Sequence, residues 1–359
     1  MSILLRASIL AGAMAAPLAA SAATPTLKDV LGASGLSLTG YVDTGYTYMT
    51  AETGGSLRVF DTEQNSFNLD QVAAFLAYQP AEGAGVFVNL TAGDDADLIS
   101  SNGSASGDNF DVTQAYAQYN TGWATLMAGK YVTLNGAEVI DSRGVPNASR
   151  GILFGYAIPF SHTGVRATFP LSDSISLIAG VNNGWDQMKD TNKQKTGEVG
   201  LSINAGAVSL FASAYAGNEL GAGGTTNGLR TIADVVVTVK AGSALTFILN
   251  GDVGSQEDAI AAGTDAGWSG VAGYANVQFN PTWRGSLRAE YFDDEDGFRT
   301  GTTQKWKEVT LTVGHACSDN LDLLFEVRGD KSDVMAFTED GGTPTDENSS
   351  VNVKALYKF

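Results

Sequence analysis

The 359-residue sequence carries 39 acidic against 21 basic side chains, a formal net charge of −18, with 43 glycines, 8 prolines and one cysteine. The acidic balance and the lack of any basic cluster exclude a phosphate-binding face for nucleic acid. A single cysteine, Cys317, excludes an internal disulfide framework. Past the N-terminus no apolar run reaches the roughly eighteen residues of a membrane-spanning helix.

Residues 1–23 read as a cleavable secretory signal peptide. Arg6 is its basic end, Ile9 to Ala20 its apolar stretch, and Ala20-Ser21-Ala22 its small-residue cleavage pattern. Cleavage after Ala22 or Ala23 takes away Arg6 and leaves a mature chain near −19 (−18 less one). Residues 24–34 form a short leading segment, with a candidate helix over Thr26 to Ala33. Residues 35–359 read as one domain without a linker.

In that domain the dominant signal is period-two alternation over segments of about ten residues. In Trp283 to Tyr291, the apolar or small Trp283, Gly285, Leu287, Ala289 and Tyr291 alternate with Arg284, Ser286, Arg288 and Glu290. Leu321 to Asp330 repeats the pattern, as does Val351 to Phe359, where Val351, Val353, Ala355, Tyr357 and Phe359 share one face. Alternation alone fits a soluble sandwich as well as a transmembrane barrel.

Connection lengths separate the two. Tight-turn compositions at Pro80-Ala81-Glu82-Gly83, Asn120-Thr121-Gly122, Leu171 to Ser174, Asn204-Ala205-Gly206, Ala241-Gly242-Ser243, Asn280-Pro281-Thr282 and Ser318-Asp319-Asn320 alternate with long connections. The long ones centre near Glu52, Ser101, Gly144, Lys189, Gly221, Ala261, Glu295 and Gly341. A sandwich has no reason to sort loops by parity. The sorting predicts an all-β fold: a transmembrane antiparallel β-barrel of about 16 strands, with short periplasmic turns and long external loops. Two aromatic girdles are expected, one beside the short turns (Tyr78, Tyr119, Phe169, Phe279, Trp283, Tyr357, Phe359) and one towards the loops (Tyr46, Tyr48, Trp185, Trp268, Tyr291, Trp306). Tyr357 and Phe359 together read as a terminal assembly signal. The expected location is the outer membrane of a Gram-negative bacterium, after export to the periplasm.

Several blocks also resemble a known family. Gly40-Tyr41-Val42-Asp43 is followed by the run Phe60 to Gln71, then Gly129-Lys130-Tyr131, then Ser149 to Gly164, then Val181 to Asp186. Together these resemble the β-barrel porins with an OmpL-like fold, over essentially the whole mature chain. The block Ser149 to Gly164 is the most specific. The resemblance implies an outer-membrane barrel acting as a porin and names no substrate.

The longest connection, about 132–155, follows the fifth strand and is the third external loop. In general porins that loop folds inward and narrows the pore. Here it carries Glu138, Asp141, Arg143 and Arg150 as candidate constriction residues, against the plainer reading of a loop lying over the mouth. Strand parity points Arg166, Arg230, Arg284, Arg288, Arg328 and Lys354 into the lumen, with Asp43, Glu198, Asp234, Asp252, Glu290 and Glu326. Many of these are expected to pair across neighbouring strands. Parity stays open across Asn65 to Tyr78 and Trp123 to Val132. Acidic runs at Asp94, Asp95, Asp97 and Asp108, at Asp293 to Asp296, and at Glu339, Asp340, Asp346 and Glu347 suggest a mouth that enriches cations.

No calcium loop, zinc spacing, phosphate loop or dinucleotide fingerprint occurs, so no metal or cofactor is expected. Of the two histidines, His162 faces away from the adjacent Ser161 and His315 has no adjacent serine, which argues against a wall hydrolase. The expected function is a passive diffusion channel for ions and small hydrophilic solutes, with a weak cation preference. Expected partners are outer-membrane lipid, lipopolysaccharide and the barrel assembly machinery, with a homotrimer left open. The alternatives are a closed barrel that binds a partner through its loops and a soluble secreted all-β protein.

Overall fold

The computed structural model describes residues 26–51, 57–104 and 109–359. The expected signal peptide, residues 24–25, the loop centre Glu52 and the acidic Asp108 lie outside the described residues. A short helix, α1 (Leu27–Ser34), comes first. Thr26 caps it: its hydroxyl accepts from the Asp29 amide while the Asp29 carboxylate accepts from the Thr26 amide. The Thr26 hydroxyl (2.7 Å) and then the Thr26 amide donate to the Asp29 carboxylate and hold it below its ordinary range. Gly35, at φ +73°, ends the helix in the left-handed conformation that glycine adopts without a Cβ clash.

Sixteen antiparallel strands then close into a barrel. They are β1 (Ser37–Met49), β2 (Ser66–Tyr78), β3 (Gly83–Ala92), β4 (Phe110–Asn120), β5 (Thr125–Val132), β6 (Ser161–Ser172), β7 (Ile175–Asn182), β8 (Thr196–Ala205), β9 (Val208–Leu220), β10 (Asn227–Ala241), β11 (Leu245–Ala261), β12 (Thr264–Gln278), β13 (Trp283–Asp294), β14 (Gln304–Ala316), β15 (Leu321–Ser332) and β18 (Glu347–Lys358). A small hairpin, β16 (Phe337–Glu339) and β17 (Thr343–Thr345), sits inside the last loop, and a helix, α2 (Asp94–Leu98), inside the second. Every barrel strand pairs with its sequence neighbours, and β1 pairs with β18 to close the ring.

Burial alternates along the strands as the side-chain period of two requires. Leu287, Leu311, Phe325, Val327 and Val351 are outward and exposed, while Arg288, Thr310, Glu326 and Asn352 are inward and buried. The parity left open in β2 has a local cause. Asp43 pairs with Gln71 and Thr44 with Leu69, so Asp70 is an inserted bulge residue and both Asp70 and Gln71 are buried. In β5 the backbone of Gly129 lies at φ +142°, and Lys130 and Tyr131 after it are both buried.

Two expectations need correction. The connection near Ala261 is not a long loop: β11 and β12 extend past the rim as a hairpin and turn tightly at residues 262–263. The loop-side girdle loses three members. Trp185, Trp268 and Trp306 are at most 8 % exposed and point inward into an apolar cluster. Even-numbered Trp306 shares the face of Glu308 and Thr310, so the alternation already pointed it into the lumen. The girdle beside the short turns is exposed, with Tyr78, Tyr119, Phe279, Trp283, Tyr357 and Phe359 all on the outer face.

The ring closes at Phe359. Its amide donates to the Gly40 carbonyl (3.0 Å), the Gly40 amide donates to the Phe359 carbonyl (2.9 Å), and the phenyl ring covers Gly40. A Cβ on Gly40 would lie 2.4 Å from the ring and 2.5 Å from the Ala73 carbonyl oxygen. Gly40→Leu is therefore expected to push the ring off the seam and destabilise the barrel by about 1–3 kcal/mol, the usual cost of overpacking. The readout is the temperature at which the heat-modifiable electrophoretic band unfolds. An unchanged temperature would mean that Phe359 does not pack on the seam in the folded protein.

Candidate functional site

The lumen is occupied by the third loop, L3, which runs from 133 to 160 between β5 and β6. It is fastened to the inner wall at many points. Near its start, the Leu134 amide donates to the Tyr215 hydroxyl on β9 (2.8 Å) and the Ala137 amide to Asn250 on β11 (3.0 Å). Asp141 caps a tight 3-10 turn, Ser142–Gly144, by accepting from the Arg143 amide (2.9 Å). The Ser142 hydroxyl donates to Asp43 on β1 (2.6 Å). The amides of Ala148 and Ser149 both donate to the Glu326 carboxylate on β15 (2.7 and 3.0 Å), and the Ile152 amide donates to Glu290 on β13. Contacts on β9, β11, β13, β15 and β1 mean that the loop crosses the bore.

Ionic contacts hold the same segment. Arg288 is fully buried and donates to Glu138 on the loop (2.8 Å), to Glu308 on β14 (2.8 Å) and to the backbone carbonyl and hydroxyl of Ser149 (3.0 Å each). Arg328 pairs with Asp330 (2.6 Å) and donates to the Arg150 carbonyl (2.6 Å). Arg150 turns back on its own loop, donating to the carbonyls of Val139 and Ile140 (2.9 Å each). Buried charges are tolerated only when paired and hydrogen-bonded, and this network meets that condition around the loop.

Most of the other expected lumen residues have polar partners as well. Arg166 donates to Glu198 (2.7 Å), Arg284 to Asp322 (3.0 Å), and Lys354 lies between Asp43 (3.3 Å) and Asp70 (3.1 Å). Arg230 stands higher, stacked on Trp185 and Phe298 and bonded to Gln256. Asp234 accepts from Asn250 (2.5 Å), and Asp252 is buried opposite it in the register. The first loop also dips inward: Arg58 bridges Asp61 (2.6 Å) and Asp330 (3.2 Å). Sequence parity gave no means of seeing Arg58, because it lies in a loop.

Towards the loop end the bore is apolar. Phe60, Ile99, Trp185 and Phe337 from four loops meet Ile152, Leu153 and Phe154 of L3 and the inward Trp268, Phe292 and Trp306. Towards the short-turn end the packing is looser. A cavity of about 520 Å³ lies between L3 and the inner faces of β1 to β4, lined among others by Thr39, Phe75, Phe87, Asn89, Gln114, Asp141 and Arg143. Asp141 and Arg143 pair with each other (2.7 Å) and keep more than a quarter of their side-chain surface exposed. They are the charges of L3 that water reaches most readily. Glu138 and Arg150, by contrast, are buried.

The acidic loop segments are partly structural. Asp95 is buried and accepts from Gln71 (2.8 Å), and Asp294 is buried and accepts from the amides of Arg299 and Thr300 (3.0 and 2.7 Å). Asp346 and Glu347 share Lys331 at the surface (3.1 and 2.6 Å).

The family model described as "Putative beta-barrel porin-2, OmpL-like" matches residues 35–359, the whole barrel. The chain belongs to this porin family. Solved structures agree with its fold. The outer membrane channel DcaP of Acinetobacter baumannii superposes with a TM-score of 0.63 at 13% identity, covering 90% of this chain and 97% of that one. The trimer form of OmpT, an outer membrane protein of Vibrio cholerae, gives 0.63 at 13% identity over 90% and 99%. An anion-selective porin from Comamonas acidovorans gives 0.60 at 14% identity over 90% and 99%. No curated protein matches the sequence. The porin resides in the Gram-negative outer membrane, so its short turns face the periplasm and its long loops face outward.

Proposed function

We propose that this porin is a narrow passive channel for ions and small hydrophilic solutes, with a weak cation preference, constricted by L3. The observation that carries the reading is the cavity between L3 and β1 to β4, with the charged Asp141 and Arg143 at its surface. The path would run along that side of the loop. Because Glu138 is tied to Arg288, the constriction would present only one carboxylate and one guanidinium. The surplus carboxylates of the outer loops would then set the preference, acting over roughly a Debye length, about 10 Å at 0.1 M salt.

The test is the reversal potential of the purified porin in a planar bilayer under a potassium chloride gradient. The expected result is mild cation selectivity that fades as salt rises. Asp141→Asn leaves Arg143 unpaired at the constriction and is expected to shift the reversal potential towards anions at all salt concentrations. An unchanged potential in that variant would place Asp141 off the path.

A second reading has one observation in its favour. The apolar cluster at the loop end leaves the outer half of the bore closely packed, as a barrel that is closed at rest would require. Folded protein that gives no current steps would select it. Catalysis is not part of either reading: the ring of His162 faces the Gly184 carbonyl (3.1 Å) and that of His315 stacks on Trp283 (4.3 Å). The apolar outer belt would meet lipid and lipopolysaccharide, Tyr357 and Phe359 would be read by the assembly machinery after signal-peptide removal, and assembly as a homotrimer is the oligomer we favour.

A further inference from the structure

The cavity wall carries two rings, Phe75 and Phe87, that a passage for ions does not need, and they belong to a longer row. Tyr41 on β1, Phe75 on β2, Phe87 on β3 and Tyr116 on β4 face inward on four successive strands. Their ring centroids are spaced 6.1, 6.3 and 5.2 Å apart, and the last pair stack at 19°. The register sets them on a diagonal: Phe75 lies opposite Thr39, two residues periplasmic of Tyr41, and Phe87 lies two residues periplasmic of Asn89, the partner of Phe75. Phe87 and Tyr116 are directly opposite each other. The rings therefore descend towards the periplasmic mouth.

The upper and lower rings differ in what covers them. Tyr41 is buried against L3, its hydroxyl accepting from the Ser142 amide (3.3 Å), and the Arg143 guanidinium lies 4.3 Å above the Phe75 ring. Phe87 and Tyr116 are only half buried. Beside them stand neutral groups that both donate and accept: Gln79 donates to Gln118 (2.9 Å) and to the Tyr116 hydroxyl (3.4 Å), and Asn89 and Gln114 line the same space. A wall that only has to be wetted can be built from Ser, Thr and Asn without ring faces. Ring faces turned to a water-filled cavity gain only when an apolar surface covers them.

We propose that this staircase is a binding subsite for neutral saccharides. A pyranose ring has a flat face of C–H groups, which suits the electron-rich face of Phe87, backed by the stacked Tyr116, and a rim of hydroxyls, which suits amides that both donate and accept. Such a site is mostly apolar with a few placed polar groups, and its 520 Å³ falls within the roughly 300–1,000 Å³ of small-molecule pockets. The charges that line it are paired, Asp141 with Arg143 and Glu138 with Arg288, so a neutral ligand incurs no charge penalty. The proposal rests on the channel reading for access to the cavity, and the test separates the two.

Purified porin in detergent is titrated calorimetrically with cellobiose and, as a control without a rigid ring, sorbitol. The same two probes are added to one side of a bilayer carrying the porin while ion current is recorded. Cellobiose is expected to bind and to reduce the current; sorbitol is expected to do neither. Phe87→Leu combined with Tyr116→Leu keeps apolar bulk but removes both rings, and should weaken cellobiose binding about tenfold, the scale of one or two lost ring contacts. The outward Phe169→Leu should leave binding unchanged. Cellobiose binding no stronger than sorbitol, or unaltered in the double variant, overturns the proposal. The comparison of probes in the unsubstituted porin decides the matter even if the double variant does not fold. Ion current without cellobiose binding removes the subsite and leaves the channel. Cellobiose binding without any ion current removes the channel and leaves the subsite.

Discussion

Arg288→Met is expected to loosen L3 from the barrel wall and raise single-channel conductance severalfold. Arg288 has no solvent exposure, and its guanidinium is shared by Glu138 of the loop and Glu308 of the wall at 2.8 Å each, with Glu290 at 4.0 Å. Removing one partner of a buried pair leaves the others charged and unsolvated, at a cost of about 3–5 kcal/mol. The barrel ladder does not depend on Arg288, so the strain falls on the contact between wall and loop. The loop leaves the wall, and water reaches the three carboxylates. Inward residues of a wide wet pore would exchange for Gln at little cost, which is what strand parity alone suggests for Arg288 and Arg328. Burial under L3 reverses that expectation, and Arg288→Gln should behave like a weaker Arg288→Met. Conductance and thermal unfolding measured together check this. Normal values for both would mean that the loop is held by its other contacts alone.

Leu287→Arg and Phe325→Arg are expected to act through the opposite face. Both side chains are nearly half exposed on the outer wall (46 % and 47 %), flanked by Val309, Leu311 and Val327 in the apolar belt. An arginine near the bilayer midplane on this face costs about 2–4 kcal/mol. Urea unfolding in lipid vesicles should show that loss, with conductance of the folded fraction unchanged. A loss in detergent-free water but none in lipid would contradict the lipid-facing assignment.

The legible part of this molecule was the part governed by strand geometry. Alternation in β13, β15 and β18 sorts Arg288 from Leu287 and Lys354 from Val353, because the side-chain period of two holds wherever the ladder is regular. It fails where the ladder slips, as at the Asp70 bulge. The length of L3 was visible in the sequence, and so were Glu138 and Asp141 within it. Their division of labour was not: whether Glu138 faces water or Arg288 depends on a partner 150 residues away. The three inward tryptophans were missed by assuming that aromatic residues near the loops must face lipid. Parity already contradicted this for Trp306, and the Glu308 and Thr310 of the same strand were the available sign. Of the staircase only Phe75 lies in a stretch where parity was open; the diagonal that joins Tyr41, Phe75, Phe87 and Tyr116 depends on the register between strands, which no single strand's pattern carries.

The central claim is that solutes pass along the β1 to β4 side of L3. The measurement that tests it most directly is single-channel current through two single-cysteine porins in a Cys317→Ser background, Asn89→Cys in the cavity wall and Asp234→Cys on the far wall. Each is treated with a small charged methanethiosulfonate from the periplasmic side. Asn89 lines the cavity, whereas Asp234 is buried against Asn250, the residue that binds the Ala137 amide of L3. The expected result is a stepwise fall in current for the cysteine at 89 and no change for the one at 234. Block at 234 with none at 89 would put the path on the other side of the loop and contradict the account.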